Sequence, residues 1–158
     1  MKAVRLHQYG KDPVLEEVDE PKITDPWGVI VDVEAAGLCR TDLHIVEGQW
    51  EPIQHPSLPY ILGHENAGRV REVGSAVNNV SPGDTVIMHP LTSCGLCPPC
   101  RLGQDSHCEN STFPGVSVDG GMADQLLTNA RAVVKLDDGL DPKDAVSYTH
   151  LTLPTNRE

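Results

Sequence analysis

The stretch CGLCPPCRLGQDSHC, residues 94–108, places four cysteines in one short segment at the spacing C-x2-C-x2-C-x7-C. Zinc with a structural role prefers a closed tetrahedron of sulfur ligands, and short spacers of glycine and proline let one loop curl around the ion. We therefore predict a structural zinc in a lobe of residues 90–112. Its four predicted ligands are Cys94, Cys97, Cys100 and Cys108.

Two disulfides are the alternative use of four cysteines. The chain begins with an alternation of polar and apolar residues, Lys2 to His7, which is typical of a strand and differs from an apolar leader. We therefore expect a reducing, cytoplasmic compartment, where close cysteine pairs bind metal or do redox chemistry. Cysteines separated by only two residues also have poor geometry for forming disulfide bonds with one another. Zinc is favoured, and a thiol redox switch remains the second interpretation.

The charge balance limits the classes of partner. The chain of 158 residues has 23 acidic and 12 basic side chains, a formal net charge of −11. Such a surface repels phosphate backbones and anionic lipid, which argues against a nucleic-acid-binding zinc ribbon. No apolar run is long enough to cross a bilayer. We expect no nucleic-acid partner and no membrane partner.

The spacing of turn residues indicates the fold class. The chain has 13 prolines and 14 glycines at short intervals, which leave room for short strands and little room for long helices. Strands are predicted at 29–35, 67–73, 85–88 and 122–127, and short helices at 41–46 and 141–146. The sequence therefore predicts one mainly β, barrel-like domain with long connecting loops.

Two further motifs contain residues that bind metals. The fifth cysteine, Cys39, lies in GLCRTDLH (37–44), and GHE follows at 63–65. Taken singly, a cysteine is often a small buried hydrophobe, and a histidine in a glycine turn is often solvated.

Taken together, these motifs resemble the zinc-dependent alcohol dehydrogenases of the medium-chain dehydrogenase/reductase superfamily. The resemblance also includes PGDTV (82–86) and GGMAD (120–124), all in the family's order, and covers residues 1 to about 146. It implies a GroES-like catalytic domain, a partly open β-barrel with a structural and a catalytic zinc. In the family a Rossmann domain follows and binds NAD or NADP. The implied substrate is a small alcohol or carbonyl compound, and the parent enzyme is expected to be a homo-oligomer.

The resemblance also implies roles for individual residues. Cys39 and His64 match two ligands of the catalytic zinc, which acts as a Lewis acid on the substrate oxygen, and Glu65 matches an exchangeable carboxylate ligand. Asp42 would fix the tautomer of the histidine. The remaining three matches are Thr41, which would accept the alcohol proton, His44, which would pass it on by way of the cofactor ribose, and Arg40, which would pair with the cofactor pyrophosphate.

The sequence departs from the family after Val146. Residues 147–158 match no expected continuation, so we interpret them as a foreign or out-of-frame tail on a truncated chain. The family's third ligand of the catalytic zinc, a cysteine or an aspartate, would come from this region, where His150 and Glu158 are the remaining possible ligands. No G-x-G-x-x-G occurs, so we predict that the Rossmann domain is absent and that the chain alone has little or no turnover.

Three functional hypotheses follow. The first is a zinc-dependent alcohol dehydrogenase domain, which requires a second metal at Cys39 and His64. The second is a non-catalytic, zinc-stapled GroES-like module for binding or assembly, which requires only the four-cysteine metal. The third is a thiol redox sensor, which we rank last.

Overall fold

The computed structural model describes residues 1–53 and 56–146. Within these ranges the chain is mainly β. The strands and α-helices are β1 (Lys2–Leu6), β2 (Val14–Glu17), β3 (Gly28–Gly37), α1 (Arg40–Val46), β4 (Tyr60–Ile61), β5 (Glu65–Val73), β6 (Thr85–Met88), α2 (Pro98–Arg101), β7 (Gln125–Asn129), β8 (Val133–Lys135) and α3 (Pro142–Ala145). Two 3₁₀ helices lie at Asp105–His107 and Ala130–Ala132.

The strands form two antiparallel sheets. The smaller sheet has the order β2-β1-β4, and the larger has the order β7-β3-β5-β6-β8. β3 is the longest strand and pairs with β5 and β7, and its register to β5 shifts between Ile30 and Val31 and again between Val33 and Ala35. Such irregularities bend a strand and increase its twist. The larger sheet is therefore strongly curved.

The segment before β7 joins the two sheets into a partly open barrel. The N–H of Val4 in β1 donates to the carbonyl of Met122 at 2.8 Å, and the N–H of Val33 in β3 donates to the carbonyl of Asp124 at 2.9 Å. Residues two positions apart in one segment thus bond to different sheets, and the sheets curl around a common interior. This is the GroES-like barrel that the resemblance implied.

The interior contains two apolar clusters. The first lies within the curved sheet and consists of Val29, Val31, Val70, Val80, Val86, Met88, Leu126, Ala130 and Val133. The second packs helix α1 against the smaller sheet and consists of Leu6, Ile45, Tyr60, Leu62 and Val116. Helix α1 is therefore fixed to the barrel by Ile45, which is 2% exposed, while its first turn remains free to line a site.

Most predicted elements are present, with shifted bounds. β3, β5 and α1 contain the predicted segments 29–35, 67–73 and 41–46, and β6 matches 85–88. The strand predicted at 122–127 begins only at Gln125, because residues 122–124 bond to both sheets as a connection. The helix predicted at 141–146 is limited to Pro142–Ala145. Strands β2, β4 and β8 were not predicted.

No helix among the described residues has both the length and the hydropathy needed to cross a membrane. The predicted foreign tail, residues 147–158, lies outside the described residues, as do His150 and Glu158.

Candidate metal centres

The four-cysteine lobe is an excursion between β6 and β7. Its neck is a pair of backbone hydrogen bonds between Thr92 and Thr112, of 2.9 and 3.0 Å. Inside this neck α2 and the 3₁₀ helix Asp105–His107 present the cysteines to one another. The predicted lobe of 90–112 thus corresponds to a closed loop.

The four cysteine sulfurs lie close enough together to share one metal ion. The Sγ atoms of Cys94, Cys97, Cys100 and Cys108 all lie within 4.8 Å of one another. The Sγ atoms of Cys97 and Cys108 are 3.9 Å apart. A Zn–S distance of about 2.3 Å and a tetrahedral angle require sulfurs about 3.8 Å apart, whereas a disulfide requires about 2.05 Å. All five cysteines of the chain are free, and the four-sulfur cluster fits zinc.

Backbone donors point at these sulfurs. The N–H of Cys94 donates to Sγ of Cys108 at 3.2 Å, and the N–H groups of Leu96 and Cys97 donate to Sγ of Cys94 at 3.5 and 3.4 Å. The bonds from Leu96 and Cys97 lower the pKa of the Cys94 thiol to about 6, whereas burial raises the pKa of the Cys100 thiol to about 12. Metal binding requires thiolates, so the donors prepare one side of the cluster for an ion.

A second group of possible ligands lies at the junction of β3, α1 and β5. Ligand atoms of Cys39, His64 and Glu65 lie within 4.8 Å of one another. Cys39 follows β3, and His64 and Glu65 lie at the start of β5. Gly63 makes this approach possible, because its φ is +95° and a Cβ atom there would lie 2.7 Å from the backbone nitrogen of Met122.

Cys39 also caps helix α1. Its Sγ accepts from the N–H of Thr41 at 3.3 Å, and its own N–H donates to Oδ2 of Asp42 at 2.9 Å. This reciprocal pattern is a capping box, here with cysteine at the N-cap. The sequence predicted a helix from residue 41 and gave no sign that Cys39 caps it. The cap fixes the sulfur at the edge of the barrel.

Asp42 orients His64 toward the cysteine. The Nδ1 atom of His64 lies 3.3 Å from Oδ1 of Asp42, and neither atom has another hydrogen-bond partner among the described residues. The Nε2 atom of His64 lies 3.0 Å from Sγ of Cys39. In the neutral ring, a proton on Nδ1 toward Asp42 leaves the Nε2 lone pair facing the sulfur, which is the tautomer that a metal ligand needs. Tetrahedral zinc would move Sγ and Nε2 to about 3.5 Å apart.

The environment of His64 favours a positive charge in this pocket. Burial lowers the pKa of His64, but the hydrogen bond and charge of Asp42 and the charge of Cys39 raise it more, to about 9. The ring also contacts Phe113 edge to face, with centroids 5.8 Å apart. The donor atoms of Cys39, His64 and Glu65 are a sulfur, an imidazole nitrogen and a carboxylate oxygen, a set that fits zinc.

The other predicted site residues lie on α1. Thr41 and His44 are three positions apart, so they share one face of the helix, and both are partly buried. The Nδ1 atom of His44 lies 3.6 Å from Oε2 of Glu47. Arg40 is exposed at the first position of the helix. α1 thus brings Thr41 and Asp42 next to Cys39 and holds His44 one turn away.

The sequence matches a known family along most of its length. The profile of the "Alcohol dehydrogenase GroES-like domain" family matches residues 25–138. The chain belongs to this family. An alcohol dehydrogenase of Geobacillus stearothermophilus is 42% identical over 147 residues, which cover 92% of this chain and 42% of that protein. This chain therefore spans about two-fifths of the length of that relative.

Solved structures show the same fold. The alcohol dehydrogenase of the archaeon Aeropyrum pernix superimposes with a TM-score of 0.89 at 44% identity, covering 96% of this chain and 44% of that one. A protein of Sinorhizobium meliloti described as a zinc-binding dehydrogenase, bound to NADP, superimposes with a TM-score of 0.78 at 36% identity, covering 92% and 41%. These proteins support the family resemblance stated from the motifs.

Arg131 lies near the four-cysteine centre, although no sequence pattern indicated it. It hydrogen-bonds to Ser93 and Asp105 in the cysteine lobe, 38 and 26 positions away in the sequence. Nothing in its immediate sequence, Asn129 to Val133, indicates this contact. Only the fold brings the 3₁₀ helix between β7 and β8 beside the lobe.

Proposed function

We propose that residues 1–146 form the zinc-binding catalytic domain of an alcohol dehydrogenase that uses NAD or NADP. The observation that carries the proposal is the convergence of Cys39, His64 and Glu65, with Asp42 behind the histidine. The relatives named above are alcohol dehydrogenases, and one similar structure contains NADP.

Cys39 and His64 would hold the catalytic zinc, with Glu65 as the third ligand in this chain. When bound, the ion would supply a positive charge that polarises the oxygen of an alcohol or carbonyl substrate. Asp42 keeps the Nδ1 proton of His64 and leaves Nε2 as the ligand atom. A sulfur, a nitrogen and a carboxylate leave one tetrahedral position for substrate.

The α1 residues would manage the proton and the cofactor. Oxidation of an alcohol releases the hydroxyl proton, which the Thr41 hydroxyl would accept. The backbone N–H of Thr41 donates to Sγ of Cys39 at 3.3 Å, so this residue lies next to a candidate zinc ligand. His44, on the same face, would pass that proton to solvent. Arg40 is exposed and would pair with the cofactor pyrophosphate through its planar set of donors.

The four-cysteine lobe would hold a second zinc with a structural role. Its four ligands are all cysteines, so they fill a tetrahedron and leave no position for substrate. The reducing conditions of a cytoplasm would keep these cysteines available as ligands. The net charge of −11 argues for a small-molecule substrate rather than nucleic acid.

The chain spans about two-fifths of its relatives, so the nicotinamide site is expected in the remainder of the parent enzyme, which we expect to be a homo-oligomer. We expect little or no turnover from the 158-residue chain alone, because hydride transfer needs the cofactor held beside the substrate.

A chimera tests the proposal directly. Residues 1–146 of this chain would replace the matching part of the Geobacillus enzyme, and alcohol oxidation would be followed by NADH or NADPH formation. We expect activity in the chimera, loss in Cys39→Ser, and retention in Asp32→Asn, a surface change at the Asp32–Arg71 pair. A folded chimera with two zincs and no turnover, or an active Cys39→Ser variant, would contradict the proposal.

A further inference from the structure

The side chain of Arg131 reaches from the barrel to the cysteine lobe. Its Nε donates to Oγ of Ser93 at 3.2 Å, and its Nη2 donates to Oδ2 of Asp105 at 2.8 Å. Within residues 1–53 and 56–146, these are the only side-chain hydrogen bonds that join residues 93–112 to the remainder of the chain. One side chain thus holds two separate segments of the lobe.

The guanidinium also packs on the ligand loop itself. A Cβ atom on Gly95 would lie 3.0 Å from the Cζ, Nε and Nη1 atoms of Arg131. Gly95 is the first of the two spacer residues between Cys94 and Cys97, and its φ is +73°. The planar cation therefore lies against a backbone position that only glycine can occupy without displacing it.

The contacts reach the metal ligands from two sides. Ser93, which is 6% exposed, directly precedes Cys94. Asp105 begins the 3₁₀ helix that leads to Cys108. Arg131 thus contacts the residues that position Cys94 and Cys108.

The barrel holds the backbone of Arg131 in place. It is the middle residue of the 3₁₀ helix Ala130–Ala132, in which Ala130 and Ala132 are 5% and 0% exposed. Asn129 caps this helix by accepting from the N–H of Arg131 at 3.0 Å. With both neighbours in the core, the arginine side chain points outward to the lobe.

The negative charge of a zinc-loaded lobe would favour a cationic side chain such as Arg131 beside it. Four thiolates around one Zn²⁺ have a net charge of −2, and Asp105 adds a further negative charge beside them. We propose that Arg131 is a positioning residue of the metal lobe, which docks the lobe on the barrel and offsets its negative charge, so that bound zinc is released slowly. The proposal rests on the proposed zinc at the four cysteines.

The test measures zinc release from the loaded protein into a coloured chelator. Arg131→Gln should release lobe zinc about tenfold faster. Loss of a residue that orients metal ligands typically costs about 10- to 100-fold, and we expect the lower value because Arg131 is partly exposed. Arg131→Lys should be intermediate, because lysine keeps the charge and loses the planar fork. The control is Arg101→Gln, which removes the same charge from an exposed lobe residue with no ion pair among the described residues.

Hydrogen exchange of the same variants separates docking from charge. Arg131→Gln should increase amide exchange at residues 93–97 and 105–108, with unchanged exchange in β3 and β5. Zinc release from Arg131→Gln that is no faster than release from Arg101→Gln would overturn the proposal. Release from Arg131→Lys as fast as from Arg131→Gln would overturn the role of the charge.

If Arg131→Gln does not fold, Ser93→Ala serves instead, because it removes one docking bond without changing any charge. Ser93→Ala should also accelerate zinc release, and unchanged release would again overturn the proposal. A wild-type lobe without zinc would refute the metal assignment instead, and exchange would then still report on docking.

Discussion

His64 and Asp42 form a buried pair at the junction of α1 and β5, with Nδ1 3.3 Å from Oδ1 and side chains 8% and 1% exposed. The same aspartate accepts the N–H of Cys39 through its other oxygen at 2.9 Å. One carboxylate thus orients two of the three residues that we propose as ligands of the catalytic zinc.

Asp42→Asn should weaken zinc binding at Cys39 and His64 by about 10- to 100-fold, because the ligand histidine loses its anionic partner. Zinc in the cysteine lobe should be unaffected. Competitive titration with a chelator resolves the two sites, and Asp32→Asn is the matched surface control. Equal affinities of Asp42→Asn and wild type at the weaker site would show that the pair does not support a metal.

Cys97→Ser should release the lobe zinc and increase amide exchange within residues 90–112. The barrel should remain folded, because both apolar clusters lie outside the lobe. Elemental analysis and hydrogen exchange measure the two effects. Cys39→Ser serves as the comparison, since it should leave lobe exchange unchanged. Retention of lobe zinc by Cys97→Ser would remove the four-cysteine assignment.

The sequence predicted elements where a local pattern is long enough. β3 and β6 coincide with apolar runs rich in valine and isoleucine. The four cysteines were recognisable because they lie within one loop. β4 and β8 have only two and three residues, too few for an alternating pattern to be recognised. Their strand geometry comes from pairing with β1 and β6.

The convergence of Cys39 and His64 is a different case. The two residues are 25 positions apart, and only the family resemblance implied that they meet. The Cys39 cap was missed because cysteine is not among the usual N-cap residues. Arg131 has no local signal at all, because its partners Ser93 and Asp105 belong to another segment.

Gly68→Ala tests the close pairing of β3 and β5. A Cβ atom at Gly68 would collide with the backbone carbonyl of Asp32 and would lie 3.1 Å from the backbone nitrogen of Glu34. We expect the free energy of unfolding to fall by about 2 to 3 kcal/mol, the upper part of the range for overpacking. Gly83→Ala, which meets nothing within 4 Å but has φ of +93°, should cost about 1 kcal/mol. Chemical denaturation compares them, and a smaller cost at Gly68 would contradict the register.

Lys135→Met should reduce stability near neutral pH and have no effect in acid. Hydrogen bonds from Lys135 at 2.7 Å and from the N–H of Ser81 hold the pKa of Asp84 below its ordinary value of 3.8. A lowered pKa in the folded state gives stability that is present above pH 3.8 and is lost as the pH falls through the lowered value. Denaturation of metal-free protein between neutral pH and pH 3 measures the difference, which should shrink on acidification. Lys22→Met is the control, and a difference that grows in acid would contradict the pairing.

The central claim is that this barrel binds two zincs in different surroundings. Zinc K-edge absorption of the purified protein, together with its zinc content, tests it most directly. We predict two zincs per chain and an average of about 2.5 sulfurs per zinc at about 2.3 Å, with nitrogen or oxygen at about 2.0 to 2.2 Å completing the shells. One zinc per chain, surrounded by four sulfurs alone, would contradict the dehydrogenase account and leave a zinc-stapled module.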